Sequence, residues 1–242
     1  MNYQIIKDEK LLKDFIDWLP ELKENEKYYL CLFARNKYCK ELTHIKSDKA
    51  QLKRFVSDKE RMFQKIKQLE IAEGWYQQKH MAVPEEALAL YINPNPRNMF
   101  KATVNLMVKL AESIRDQNVE MNSHQEALSE IQKSKSRTCW IDFDLDSKGE
   151  NPENYLSTLK SVIKHTVGET ANVKLLETRG GYHILVDPNS VEQQFKNTFY
   201  QKFANLNGVD QTGDNMIPVP GCTQGMFIPH FINTDICSTI TQ

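Results

Sequence analysis

The sequence has no CxxC pair, and its five cysteines (31, 39, 139, 222 and 237) stand in no Cys/His spacing of the kind that builds a zinc site. Their odd number argues against a disulfide framework and points to a reducing cytoplasm. No apolar run approaches the roughly twenty residues that a membrane-spanning helix needs. The start, MNYQIIKDEKLLKDF, is charged from its first turn, unlike a secretory leader. Net charge is only −1 over 242 residues, so no global field draws the chain to nucleic acid or to a membrane, and any such attraction must be local. Internal repeats and low-complexity tracts are also missing. What remains is 40% hydrophobic and 26% charged, enough to bury a core as one large domain or two small, tightly joined ones.

Hydrophobic periodicity predicts helix over 8–24, ended near Pro20, and a buried strand at KYYLCLFAR (27–35). A long charged helix is expected from Ser47 to Ile71. Its stretch 46–67 carries eight basic residues (Lys46, Lys49, Lys53, Arg54, Lys59, Arg61, Lys65, Lys67) against three acidic ones, either as a solvated face or as a contact for a nucleic-acid backbone. A strand follows at ALALYIN (87–93). Another helix is expected to open with Asn95 as N-cap and Pro96 in its first position, burying Phe100, Val104, Met107, Ala111 and Ile114. A polar link (116–123) leads to a short helix, and SKSRT (134–138) reads as a hinge. The expected division is a smaller α/β unit over 1–135 and a second unit over 136–242.

In the second half, WIDFDLD (140–146) places an aspartate at every second position of an apolar run. A strand sorts alternate side chains onto opposite faces, so Asp142, Asp144 and Asp146 share one face and Ile141, Phe143 and Leu145 the other. Aspartates suit strands poorly and like charges stacked on one face repel, so something must offset the cost; a metal cation is the usual candidate. A helix follows through Tyr155, Leu159, Val162 and Ile163. Strands 172–178 and 182–187 flank Gly180–Gly181, a hairpin signal. A helix over 189–206, with Phe195, Phe199 and Phe203 as core, precedes a final extended region. The order β-α-β-β-α-β predicts an α+β fold with a ferredoxin-like, RRM-like sheet. Both helices then cover one face and leave the aspartate face open.

If His183 shares that open face, a carboxylate pair, an imidazole and the amides of a glycine turn converge there. Carboxylates holding Mg²⁺ or Mn²⁺ against a substrate's phosphates are the usual design for nucleotidyl transfer. Backbone amides near Gly180 suit phosphate oxygens, and Arg179 offers a planar cation. One more carboxylate is needed; Asp210 is the first candidate and Asp214 its competitor. Arg97 could bind an anion or cap neighbouring structure. His44, His80, His124 and His165 have no companions and read as structural.

WIDFD (140–144), TRGGYH (178–183) and GVD (208–210) fall in the order and approximate spacing of the archaeo-eukaryotic primase superfamily, which includes primase-polymerases of phages and plasmids, and the chain resembles that family. PNPR (94–97) and PVPG (218–221) are weaker features of the same kind. The resemblance implies a ferredoxin-like catalytic core after a smaller α/β unit, and a DNA primase or polymerase activity that adds nucleoside triphosphates on a DNA or RNA template. It implies metal ligation by Asp142, Asp144 and Asp210, and binding of the incoming nucleotide's phosphates by His183 with Arg179 beside it. It also implies the setting of a mobile genetic element, with any helicase a separate partner and no membrane. Two departures stand out. Gly181 occupies the place where the family usually has serine, and NMIPVPG lacks the basic residue that often precedes PG. Other readings of the same residues are a single-stranded nucleic-acid binding module with Trp140 and Tyr182 as stacking rings, an inactive relative, and another phosphoryl-transfer enzyme such as a cyclase or nuclease.

Overall fold

The aromatic run KYYLCLFAR becomes the centre of a sheet. In the computed structural model, which describes residues 1–39, 49–117 and 120–232, the chain is α+β, with helices and antiparallel sheets. It divides into two units: residues 1–138 with 216–226, and residues 139–215 with the chain from Phe227.

The first unit opens with α1 (Glu9–Trp18), capped by the Asp8 carboxylate on the Leu11 N–H. Strand β1 (Glu26–Arg35) is buried at every position but Lys27. It pairs antiparallel with β2 (Lys49–Ser57) on one side. Helix α2 (Lys59–Lys67) and a short hairpin of β3 (Gln77–Gln78) and β4 (Met81–Ala82) come next. Strand β5 (Leu88–Ile92) lies on the other side of β1, while β6 (Arg97–Asn98) pairs with Glu26 and Lys27. Helices α3 (Met99–Arg115) and α4 (Ser123–Lys133) follow. Tyr29, Cys31 and Phe33 of β1 share a core cluster with Ala89 and Tyr91 of β5.

The second unit is β7 (Ile141–Leu145), α5 (Pro152–Val167), β8 (Val173–Glu177), β9 (Tyr182–Val186), α6 (Phe199–Ala204) and β10 (Val209–Gly213). Strand β11 (Ile217–Pro218) then returns to the first unit on the edge of β5. The last strand, β12 (His230–Ile232), pairs with β8. The second sheet runs β10-β7-β9-β8-β12, antiparallel throughout. Phe143, Leu145, Leu175, Ile184 and Val186 point to one face, where Leu159, Ile163 and Val167 of α5 and Phe199 and Phe203 of α6 complete the core.

Three expectations are corrected. The helix expected from Ser47 to Ile71 is instead strand β2, then Asp58 capping Arg61, then α2. The free side of β1 supplies a ladder of eight residue pairs that local propensity does not foresee. Its basic residues are therefore split, and several are spent inside the unit. Lys59 Nζ donates to the carbonyls of Asp17 and Leu19, Lys65 Nζ to that of Val56, Lys67 pairs with Glu70, and Arg54 reaches Ser129 and Gln125. Lys46 lies outside the described residues.

Second, α3 starts at Met99 with Asn98, not Asn95, as its cap. Arg97 and Asn98 are first drawn out as β6, and the Asn98 N–H donates to the Ser134 carbonyl at 2.7 Å. Its seam Phe100, Val104, Met107 and Ile114 is exposed rather than buried. Third, the helix expected over 189–206 is shortened to α6. The chain before it is held in i to i+3 turns, Ser190 to Asp187 and Phe195 to Glu192. Among the described residues no helix is long and apolar enough to cross a membrane.

Glu26 is buried and accepts from Arg137 Nε at 3.1 Å and from the Lys23 N–H at 2.8 Å. Burial alone would raise its pKa; the Arg137 hydrogen bond, the Lys23 N–H, Ser136 and the guanidinium charge together bring it below the ordinary 4.5. A carboxylate with a depressed folded pKa stabilises the fold above its unfolded value and loses that contribution as pH falls through the folded one. Glu26→Gln should therefore cost about 1–2 kcal/mol at neutral pH and flatten the acid limb below pH 4.5, read by urea denaturation across pH.

Candidate active site

The pleat of β7 sets Asp142 and Asp144 on the sheet face away from α5 and α6. In the ladder Asp144 lies directly opposite His183 of β9, and Asp142 opposite Leu185. His183 Nδ1 stands 2.9 and 3.0 Å from the two oxygens of Asp142. Its Nε2 stands 3.5 Å from Asp144 Oδ1. Asn215 Nδ2 donates to Asp142 Oδ2 at 3.2 Å. The imidazole thus bridges two carboxylates. The expected open face is open only in part: the side chains of Asp142 and His183 are 1% and 5% exposed, and Asp144 is 28% exposed.

Charge follows from this geometry. Burial works against a charged imidazole, but the charge and hydrogen bond of Asp142, with the charges of Asp144 and Asp210, outweigh it and raise the His183 pKa. Burial raises the Asp144 pKa, opposed by His183 and reinforced by Asp142, Asp210 and Asp146. The group that stands between the stacked aspartates is therefore an imidazole within the chain itself.

The other sequence candidates fall around this pair. Asp146 is beyond the end of β7 and exposed. Asp210 is exposed at the register shift between Val209 and Gln211, and its charge acts on both Asp144 and His183. Asp214 follows Gly213, the residue opposite Asp142. Arg179 and Gly180 form the exposed turn between β8 and β9. Arg97 belongs to the first unit, buried on β6. Among the described residues no three His, Cys, Asp or Glu side chains converge as a metal-holding group. Hard carboxylate oxygens suit Mg²⁺ or Mn²⁺, but both Asp142 oxygens lie against His183, which leaves Asp144 and Asp210 as the more available donors.

The turn explains the departure at Gly181. A Cβ there would lie 1.8 Å from the Leu145 carbonyl oxygen, a collision with backbone that nothing local can relieve. The hydroxyl in this turn belongs to Thr178, which accepts from the Gly181 N–H at 3.1 Å while its own N–H donates to the Gly181 carbonyl at 3.0 Å. The Gly181 amide is thereby used within the turn rather than turned toward a ligand. Sequence reasoning missed Asn215, which carries no periodic or motif signal, and the turn-closing role of Thr178, the first residue of TRGGYH. It also missed Lys148, which pairs with Glu177 and lies 4.7 Å over the Phe227 ring.

Two outcomes are expected. Gly181→Ser should destabilise the protein by about 3 kcal/mol or more, against less than about 0.5 for Arg179→Ala, read by thermal unfolding. In protein stripped of divalent cations, NMR titration should find the His183 imidazole protonated above the ordinary 6.5, and Asp142→Asn should move that titration down. A raised folded pKa gives stability that is full below 6.5 and lost as pH rises through the folded value; a wild-type titration at or below 6.5 contradicts the arrangement.

Comparison with protein-family models, with curated protein sequences and with solved structures finds no match to this chain.

Proposed function

We propose that the chain is a metal-dependent nucleotidyltransferase of the primase-polymerase kind, adding nucleoside triphosphates to a strand on a DNA or RNA template. The observation that carries the reading is the triad itself, Asp142 and Asp144 on one strand face with His183 between them, and Asp210 acting on both Asp144 and His183. We read the second unit as ferredoxin-like. The element order β7-α5-β8-β9-α6-β10, the antiparallel strand order β10-β7-β9-β8 and the shared core of both helices support this.

On this reading Asp144 and Asp210 would hold Mg²⁺ or Mn²⁺, with Asp142 kept against His183. A bound divalent ion supplies positive charge to the triphosphate and lowers the pKa of the attacking 3′-hydroxyl. The protein's own part is positional. Asp142, itself bonded by Asn215, holds the His183 ring in place between the two carboxylates. Arg179, exposed on the neighbouring turn, adds a planar charged donor. Asp210, at a bulge, accepts the hydroxyl proton directly or through water. The buried reduced thiols of Cys31, Cys39 and Cys222 support a cytoplasmic setting.

The binding-module alternative needs exposed rings on the central strands. Trp140 and Tyr182 are both buried, so neither offers a face to a base.

A primer-extension assay with labelled template-primer, all nucleoside triphosphates and Mn²⁺ or Mg²⁺ tests the proposal. Extension should require the metal and fall by about 10³-fold or more in Asp144→Ala, with a smaller loss in His183→Ala. Folded wild type that extends no primer with either ion would sink it, while cyclised nucleotides or shortened strands would reassign the site to a cyclase or a nuclease.

A further inference from the structure

Helix α3 turns its apolar seam to solvent. Phe100 is 69% exposed, Val104 43%, Met107 63% and Ile114 78%; Ala111 lies on the same line, and Val108, 54% exposed, adjoins it. The other side of the helix is held by α4, where Lys109 Nζ reaches Glu126 at 2.7 Å and Glu130 at 2.8 Å. Scattered exposed apolar residues need no explanation, but a continuous seam of this size marks an interaction surface.

The spacing says what kind of surface covers it. From Phe100 to Val104, Met107, Ala111 and Ile114 the steps are four, three, four and three, a mean of 3.5 residues. That is the a/d spacing of a seam packed knobs-into-holes against another helix. The seam is also nearly symmetric about its middle: Phe100 and Ile114 lie seven residues to either side of Met107, with Val104 and Ala111 between. An antiparallel pair of identical helices crossing at Met107 sets Phe100 against Ile114 of the second copy and Met107 against its own equivalent. Such self-complementarity is what a two-fold interface requires.

Size and composition agree. The exposed parts of these side chains amount to roughly 500 Å² of apolar surface per copy, so two copies bury on the order of 1,000 Å², the lower bound of a specific interface. The middle of the seam, from Thr103 to Val108, exposes no charged side chain; Lys101, Glu112 and Arg115 stand toward its ends. An apolar centre with a charged rim is the usual anatomy of such a contact.

We propose that α3 pairs antiparallel with α3 of a second copy of this chain, making a two-fold homodimer. The proposal is independent of the catalytic reading. Sedimentation of the full chain from about 1 to about 100 µM should show a concentration-dependent dimer. Met107→Glu sets two carboxylates against each other at the axis and should raise the dissociation constant about 100-fold or more, with the circular dichroism unchanged because the side chain is exposed. Met107→Leu should keep the dimer. Under mild oxidation Met107→Cys should form an intermolecular disulfide that wild type does not. Phe100→Cys should not pair with itself, since antiparallel packing holds the two positions roughly 20 Å apart. A monomer across the whole range overturns the proposal and leaves the seam to a different partner. So does a dimer indifferent to Met107→Glu, or self-cross-linking of Phe100→Cys as ready as that of Met107→Cys, which would mean a parallel pair.

Discussion

Two carboxylates two positions apart on a buried strand face would repel by about 3 kcal/mol at an effective dielectric near 20, before either loses its water. The second unit answers this with a histidine from the neighbouring strand. His183 lies directly across the ladder from Asp144 and turns its Nδ1 to Asp142, so one imidazole ring serves both carboxylates. This depends wholly on register. A slip of one residue between β7 and β9 would carry His183 into the face packed by α5 and α6 and leave the aspartates without a counter-charge.

The register is in turn held by the Thr178–Gly181 turn. Its reciprocal hydrogen bonds close the hairpin, and the missing side chain at Gly181 lets β9 approach the Leu145 carbonyl at the end of β7. The missing side chain at Gly181 is thus a steric condition for Asp144 and His183 to stand opposite each other. Chemistry on one face and packing on the other are tied through a few backbone atoms. Phe143, between Asp142 and Asp144, packs against Phe203 with ring centroids 4.9 Å apart.

Charge in the first unit follows a different logic. A segment that is strongly basic in sequence spends much of its charge on its own fold: on the carbonyls after α1, on Val56, on Glu70 and on the side chains of α4. Counting cations along a chain overstates what a nucleic acid would meet. At α3 the sequence identifies an apolar seam correctly, yet the fold does not cover it.

What the sequence determined by itself was whatever depends on a short period. Alternation over 141–145 sorts aspartates from core residues, a glycine pair marks a hairpin, and steps of three and four mark α1, α5 and the seam of α3. Each of these signals is local, because pleat and helix pitch are properties of a few consecutive residues. Tertiary structure alone decided that residues 49–57 are strand, since only the open side of β1 makes that extended state favourable. It alone sent 216–226 back to the first unit, buried the aspartate face, and brought Asn215 to Asp142 across 73 residues of chain. These outcomes rest on contacts between distant segments, whose closure no local pattern encodes.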